Sequence, residues 1–169
     1  MFNLLENKQK GCDLFEPLKS ILPLQVVINA QNGKLTSIPS NKILLKTGEI
    51  IYFIDIAIRG INNEVRVSNG NYGGVSFNIF KGLTLHSGKR NNISKKQDNY
   101  EYYKGYIFIT NKRLIFKSNE KPLEIKLDNI TSIEDNNSLL YIQCGSKIHL
   151  IRTPESNACQ IILRKVVNK

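Results

Sequence analysis

Between Ile50 and Leu150, apolar residues return at every second position in run after run, and a helical period takes over only at the end of the chain. A period of two places successive side chains on opposite faces of a strand, so this alternation limits the chain to a mainly β fold. In the strongest early run, Ile50 to Ile58, Ile54, Ile56 and Ile58 fall on one face and Asp55, Ala57 and Arg59 on the other, the pattern of a half-buried strand. Val65 and Val67 alternate with Glu64, Arg66 and Ser68 in a second strand. Val75, Phe77 and Ile79 then turn through Lys81-Gly82 into Leu83 and Leu85 as a hairpin. Tyr106 to Ile109 and Leu114 to Phe116 flank Asn111-Lys112, a two-residue turn in which Asn tolerates the positive φ such a loop needs. Leu123, Ile125 and Leu127 lead through Ile130 to Ile133. Asp135-Asn-Asn137 and Gly145-Ser146 read as tight turns around the strand of Leu140 and Ile142. Ile148 and Leu150 lie in the last strand, with His149 facing outward beside Lys147.

The two ends of the chain differ from this middle. At the C-terminus, Thr153 serves as N-cap, Pro154 sits at the first helical position and Glu155 favours the positive end of the helix dipole. Ala158, Cys159, Ile161, Ile162, Leu163, Val166 and Val167 then supply a broad apolar stripe that must cover an opening in the sheet assembly. At the N-terminus, Leu4, Leu5, Leu14, Phe15, Leu18, Ile21 and Leu22 recur at loosely helical intervals interrupted by Gly11 and Pro17. They predict one or two short helices, docked on the domain in preference to a partner or a membrane. Pro23 ends the pattern, and residues 23–41 are a connector in which Gln25 to Asn29 suits a short strand. The organisation expected is an N-terminal helical or extended arm with its connector, 1–38, and a β domain, 39–169. Many short antiparallel strands followed by one amphipathic helix point to a strongly bent sheet, or partly open barrel, closed by that helix.

The central hairpin is more specific than its alternation. Gly105-Tyr-Ile-Phe-Ile-Thr-Asn-Lys-Arg-Leu-Ile-Phe116 resembles the G-x-L-x-L-T-N-x-R-L-x-F signature of the GRAM and bacterial PH-like families. Leu123 to Ile133 is similar to the strand and bend that follow there, and Gly48-Glu49 before an apolar strand resembles the start of such domains. The likeness is closest from Gly105 to Lys169 and looser from Lys42 to Gly88. It implies a PH superfold, two near-orthogonal antiparallel sheets capped by the C-terminal helix, and a binding or scaffolding role. Gly105, Asn111, Lys112 and Arg113 match the family motif, which marks a structural turn. The lipid-binding residues of the eukaryotic relatives lie in a basic loop between the first strands, where Asn62-Asn-Glu-Val-Arg66 brings a single basic residue.

Chemistry-bearing residues are sparse. Two histidines, His86 and His149, stand far apart without Cys or carboxylate neighbours at metal-ligand spacing, so neither a metal nor another cofactor is expected. Gly73-Gly74 lacks the following GK[ST] and helix of a phosphate-binding loop. The three cysteines, Cys12, Cys144 and Cys159, form no CxxC pair and read as reduced apolar residues. No nucleophile–base pair, carboxylate pair or small-molecule site is apparent, so an enzyme is the least favoured reading. No apolar run approaches a bilayer span, and no basic leader with an apolar core opens the chain, which makes the cytoplasm the default compartment. The net charge of +10 favours an anionic partner. Its densest cluster is the loop 88–97, with Lys89, Arg90, Lys95 and Lys96 and no acid, followed at once by Tyr100, Tyr102 and Tyr103. Two functions compete for this stretch. One is a non-enzymatic module that contacts a protein partner or an anionic membrane surface through the cations. The other is single-stranded nucleic-acid binding, with phosphates on the cations and bases stacked on the tyrosines.

Overall fold

The computed structural model describes residues 11–62, 76–80, 83–86 and 100–168, with the strand backbone alone for 76–80 and 83–86. In chain order the elements are α1 (Leu24–Gln31), β1 (Ile51–Asn62), β2 (Ser76–Phe80), β3 (Leu83–His86), β4 (Tyr100–Thr110), β5 (Arg113–Lys117), β6 (Leu123–Lys126), a 3-10 turn (Leu127–Asn129), β7 (Ser132–Asn136), β8 (Leu139–Cys144), β9 (Lys147–Arg152) and α2 (Ser156–Val167). The chain divides into two units, residues 1–61 with 100–169, and residues 62–99. In the second unit, β2 and β3 form an antiparallel hairpin in the register Ser76 to His86 and Phe77 to Leu85, where the alternation predicts one. The expected strand at Val65–Val67 and the basic loop 88–97 lie outside the described residues, as does the start of the N-terminal arm.

The first unit is one open antiparallel sheet of seven strands in the order β6-β5-β4-β1-β9-β8-β7. β1 is its centre, with one three-stranded meander on each side. A single apolar cluster joins Ile125 of β6 and Ile133 of β7, from the two edge strands, to Phe53 and Ala57 of β1. The α2 residues Ala158, Cys159, Ile162, Leu163 and Val166 fill the same cluster. α2 packs on β4, β7, β8, the 3-10 turn and α1, so it covers the inner face as the apolar stripe predicts. The Arg164 guanidinium donates to the Ile133 carbonyl at 2.7 Å and ties the helix to β7.

The opposite face is covered as well. Leu14 packs with Ile58 and Leu139, joined by Cys12, Leu18, Tyr102, Tyr141 and Leu150. Ile38 and Ile43 pack with Ile51, Ile54 and Phe108. β1 is therefore buried on both faces, not half-buried: Asp55 and Ala57 are as inaccessible as Ile58, each at 0%. The alternation in β1 does distinguish two faces, but chain from outside the sheet covers the second one. Polar anchors hold the N-terminal segment to the sheet. Asp55 accepts from the Ser20 hydroxyl and the Ile21 amide, each at 2.8 Å. Arg152 donates to the carbonyls of Leu14 and Glu16 at 3.0 and 2.8 Å.

Several local expectations change. Residues 11–22 hold no helix, and the segment 25–29 expected as a strand belongs to α1. Val26 and Ala30, one helical turn apart, both enter the core beside Leu22 and α2. That packing overrides the strand preference of Val26, Val27 and Ile28. Pro23 starts this helix instead of ending one. Asn111 does not adopt positive φ, whereas Asn137 and Ser138 do, at 52° and 67°. β7 accordingly runs to Asn136, and the tight turn falls two residues later than expected. Thr153 does not cap α2, which starts at Ser156. Its hydroxyl donates to the Ile56 carbonyl at 3.0 Å and lies 3.4 Å from Asp55. His149 is on the side of β9 that carries the fully buried Ile151, and it is half-buried. Burial there, together with Arg59 and Lys147, lowers its pKa.

Phe116→Ala and Ile162→Ala are each expected to cost about 2 to 5 kcal/mol in urea unfolding, and Leu22→Ala a loss in the same range. A near-zero result for Leu22 would show that the N-terminal segment is not part of the cooperative core.

Candidate functional site

The hairpin motif has a physical role that begins with Gly105. A Cβ at this position would sit 2.2 Å from the Lys117 carbonyl oxygen and 3.0 Å from the Phe116 ring, so only glycine allows β5 to lie so close. At the turn, Thr110 Oγ1 accepts from the amides of Lys112 and Arg113 at 3.1 and 3.0 Å. Asn111, relieved of any positive-φ duty, reaches across to residues 48–50. Its Oδ1 accepts from the Ile50 amide at 2.8 Å, and its Nδ2 donates to the Gly48 carbonyl at 2.9 Å. Lys112 Nζ donates to the Thr47 carbonyl.

Arg113 completes the connection from inside. Nε and Nη2 grip Glu49 at 2.8 and 3.0 Å, Nη1 meets Glu124 at 2.9 Å, and Nη2 also donates to the Leu44 carbonyl at 2.8 Å. Glu49 further accepts from the Lys46 amide at 2.7 Å and the Thr110 hydroxyl at 2.8 Å. Burial alone would push the Glu49 carboxyl up, but the hydrogen bonds from Arg113, Lys46 and Thr110 outweigh it and hold the pKa at about 2. The Arg113 pKa moves upward through the same contact with Glu49. Gly48-Glu49 and Thr110-Asn-Lys-Arg113, far apart in sequence, are thus the two halves of one clasp.

The clasp leaves a loop with an unusual surface. From Leu44 to Gly48 every residue is exposed, and Leu44 is 92% exposed. Leu45 and Ile50 are exposed as well. Lys42 lies 4.2 Å from the centre of the Tyr106 ring, and Lys117 Nζ donates to the Lys42 carbonyl. Lys46 pairs with Glu124 at 3.4 Å on the surface. The period-two reading singles out the run from Ile50 to Ile58 and assigns Leu44 and Leu45 no role. What was legible is the neighbouring Gly48-Glu49.

The candidate binding residues fall in different places. Lys89, Arg90, Lys95 and Lys96 lie outside the described residues. Tyr103 is in the main core at 6% exposure, and its hydroxyl donates to Glu101 at 2.6 Å. That hydrogen bond, with burial, pushes its pKa up to about 12. Tyr102 is half-buried among Leu14, Ile58 and Leu139, and its ring stacks on Tyr100 at 6.2 Å. Only Tyr100 of the three is exposed. Cys159 is completely buried, and burial raises its thiol well above the usual range. Cys12 and Cys144 are half-buried free thiols.

Among the described residues no group of three His, Cys, Asp or Glu side chains is placed to hold a metal ion, and no helix is long and apolar enough to cross a membrane. Two surface depressions, of about 270 and 300 Å³, lie beside Arg164 and Thr131 and beside Cys12 and Lys104. No protein-family model and no curated protein sequence matches the chain.

Arg113→Ala leaves Glu49 buried without its cation and is expected to cost about 3 to 5 kcal/mol in chemical unfolding. The acid limb gives an independent check. With a folded pKa of about 2 against an ordinary 4.5, Glu49 supplies its full stabilisation above pH 4.5 and loses it as the pH falls through 2. That contribution is on the order of 3 kcal/mol. Glu49→Gln is expected to be less stable at neutral pH and to show a flatter decline between pH 4.5 and 2.

Proposed function

We propose that the protein is a non-enzymatic binding or scaffolding module with a PH-like fold, whose partner is a protein or an anionic lipid surface. The observation that carries this reading is the use of its interior charges. Glu49, Asp55 and Arg113, all within 9% exposure, are fully engaged in holding chain segments together. Among the described residues, these buried charges are thus committed to the fold rather than to a substrate. The architecture supports the PH-like reading: seven antiparallel strands, a C-terminal helix over one face, and a clasp built from the T-N-K-R residues that carry the sequence resemblance. Fold alone does not decide function, so the role rests on the surface and its charge of +10.

Nucleic-acid binding is less well supported. Stacking needs exposed rings, and Tyr103 is in the core while Tyr102 is packed against the N-terminal segment.

Co-sedimentation with phosphatidylcholine vesicles containing phosphatidylserine, beside fluorescence anisotropy with a single-stranded oligonucleotide, tests the proposal. The Lys89/Arg90/Lys95/Lys96→Ala variant is expected to keep its melting temperature and to lose most vesicle binding at low salt. Preferential oligonucleotide binding, weakened by Tyr100→Ala, would overturn the assignment in favour of nucleic acid.

A further inference from the structure

We propose that the loop Lys42–Gly48 is a second contact site, a preformed tip that inserts Leu44 and Leu45 into the interface of an anionic lipid bilayer. The site deepens the proposed binding role by committing its surface to lipid, but it stands on residues separate from the basic loop 88–97.

Three features point to this occupant. The first is shape and chemistry. A leucine 92% exposed projects from its surroundings, and the next residue, Leu45, is 44% exposed. Single exposed apolar residues are ordinary on any protein, but two in succession at a projecting loop form an insertion element.

The second is the polar state of the backbone. Taking a loop out of water is costly when its carbonyl and amide groups lose their hydration. Here the Leu44 carbonyl is held by Arg113 at 2.8 Å, the Gly48 carbonyl by Asn111 at 2.9 Å and the Thr47 carbonyl by Lys112. The Lys46 amide donates to Glu49 at 2.7 Å, and the Lys46 carbonyl accepts from the Glu49 amide at 2.9 Å. These backbone groups are bonded inward while Leu44 faces out. It is also held in place beforehand, so insertion orders little additional chain.

The third is charge. Lys42, Lys46, Lys112 and Lys117 surround the tip. Lys112 and Lys117 rest on backbone carbonyls, which do not neutralise them. Glu124 answers Lys46, and Glu49 is matched by Arg113. An excess of positive charge around an apolar tip complements anionic headgroups above an acyl boundary. Nucleic acid offers the phosphates but no apolar phase for two leucines.

The chain contains no tryptophan, so Leu44→Trp places a single reporter at the tip. With vesicles of phosphatidylcholine and phosphatidylserine, its emission is expected to shift to the blue and to be quenched by lipids brominated on the acyl chain. Phosphatidylcholine vesicles alone should give neither response. Leu44→Ser is expected to weaken vesicle binding about tenfold or more with an unchanged melting temperature. Lys42→Gln should weaken it further and reduce its salt dependence. If the protein binds these vesicles while the introduced indole stays in water and Leu44→Ser binds normally, the loop proposal falls and the basic-loop reading survives. If no vesicle binds, lipid is excluded for both sites. An indole that shifts only on a protein partner would reassign the tip to a protein pocket and overturn the lipid assignment.

Discussion

The buried pair of Arg113 and Glu49 is the constraint on which the arrangement of the sheet's β4–β5–β1 side depends. Two charges removed from water are costly, and they persist only where geometry and extra hydrogen bonds compensate. The compensation is extensive here. The guanidinium meets two carboxylates and a carbonyl, and the Glu49 carboxylate also receives an amide and a hydroxyl. Each partner comes from a different segment: the chain before β1, the β4–β5 turn and β6. Their mutual satisfaction fixes how the chain enters the central strand and how far the hairpin overlaps it. A hydrophobic substitute would fill the space, but it would not select one register. The stacked requirements on Gly105, Thr110, Asn111 and Arg113 follow from holding that register.

A second buried carboxylate does comparable work at the middle of β1. Asp55 gathers the Ser20 hydroxyl and the Ile21 amide, and Thr153 stands within 3.4 Å at the junction of β9 and α2. A strand that alternates between apolar residues and Asp55 looks as though one side meets solvent. The side carrying Asp55 is the inner one, and the other is closed by Leu14, Ile38 and Ile43. The N-terminal segment therefore contributes to the core by covering a face, without regular structure of its own until α1.

This explains which parts of the fold were legible in the chain. The hairpins, the final helix and its apolar stripe come from local pattern, and the T-N-K-R turn was visible because a contiguous motif encodes it. The contents of the clasp were not visible, since Glu49 and Arg113 meet only through folding. The same reason accounts for Tyr103. Three nearby tyrosines read as one stacking surface, but strand alternation sends Tyr102 and Tyr103 to opposite faces, and the inner one is lost to the core. α1 is not legible because Val26, Val27 and Ile28 favour strands locally, and only the packing of Val26 and Ala30 against the rest of the core reverses that preference. The loop tip at Leu44 was missed for the converse reason. Nothing local in the sequence announces that the backbone beneath this apolar pair is held from within.

Stability and presentation are thereby coupled at one place. The donors that hold the carbonyls of Leu44, Thr47 and Gly48 are Arg113, Lys112 and Asn111, the residues of the β4–β5 turn. These groups hold three of the loop's carbonyls from below while the Leu44 side chain stands outward. A looser loop would fold Leu44 onto the nearest apolar surface, as Ile43 does beside it. The exposure of Leu44 thus goes with a backbone held by Arg113, Lys112 and Asn111. Surface apolar groups that the fold actively keeps from collapsing inward are the ones for which an external apolar partner is the natural complement.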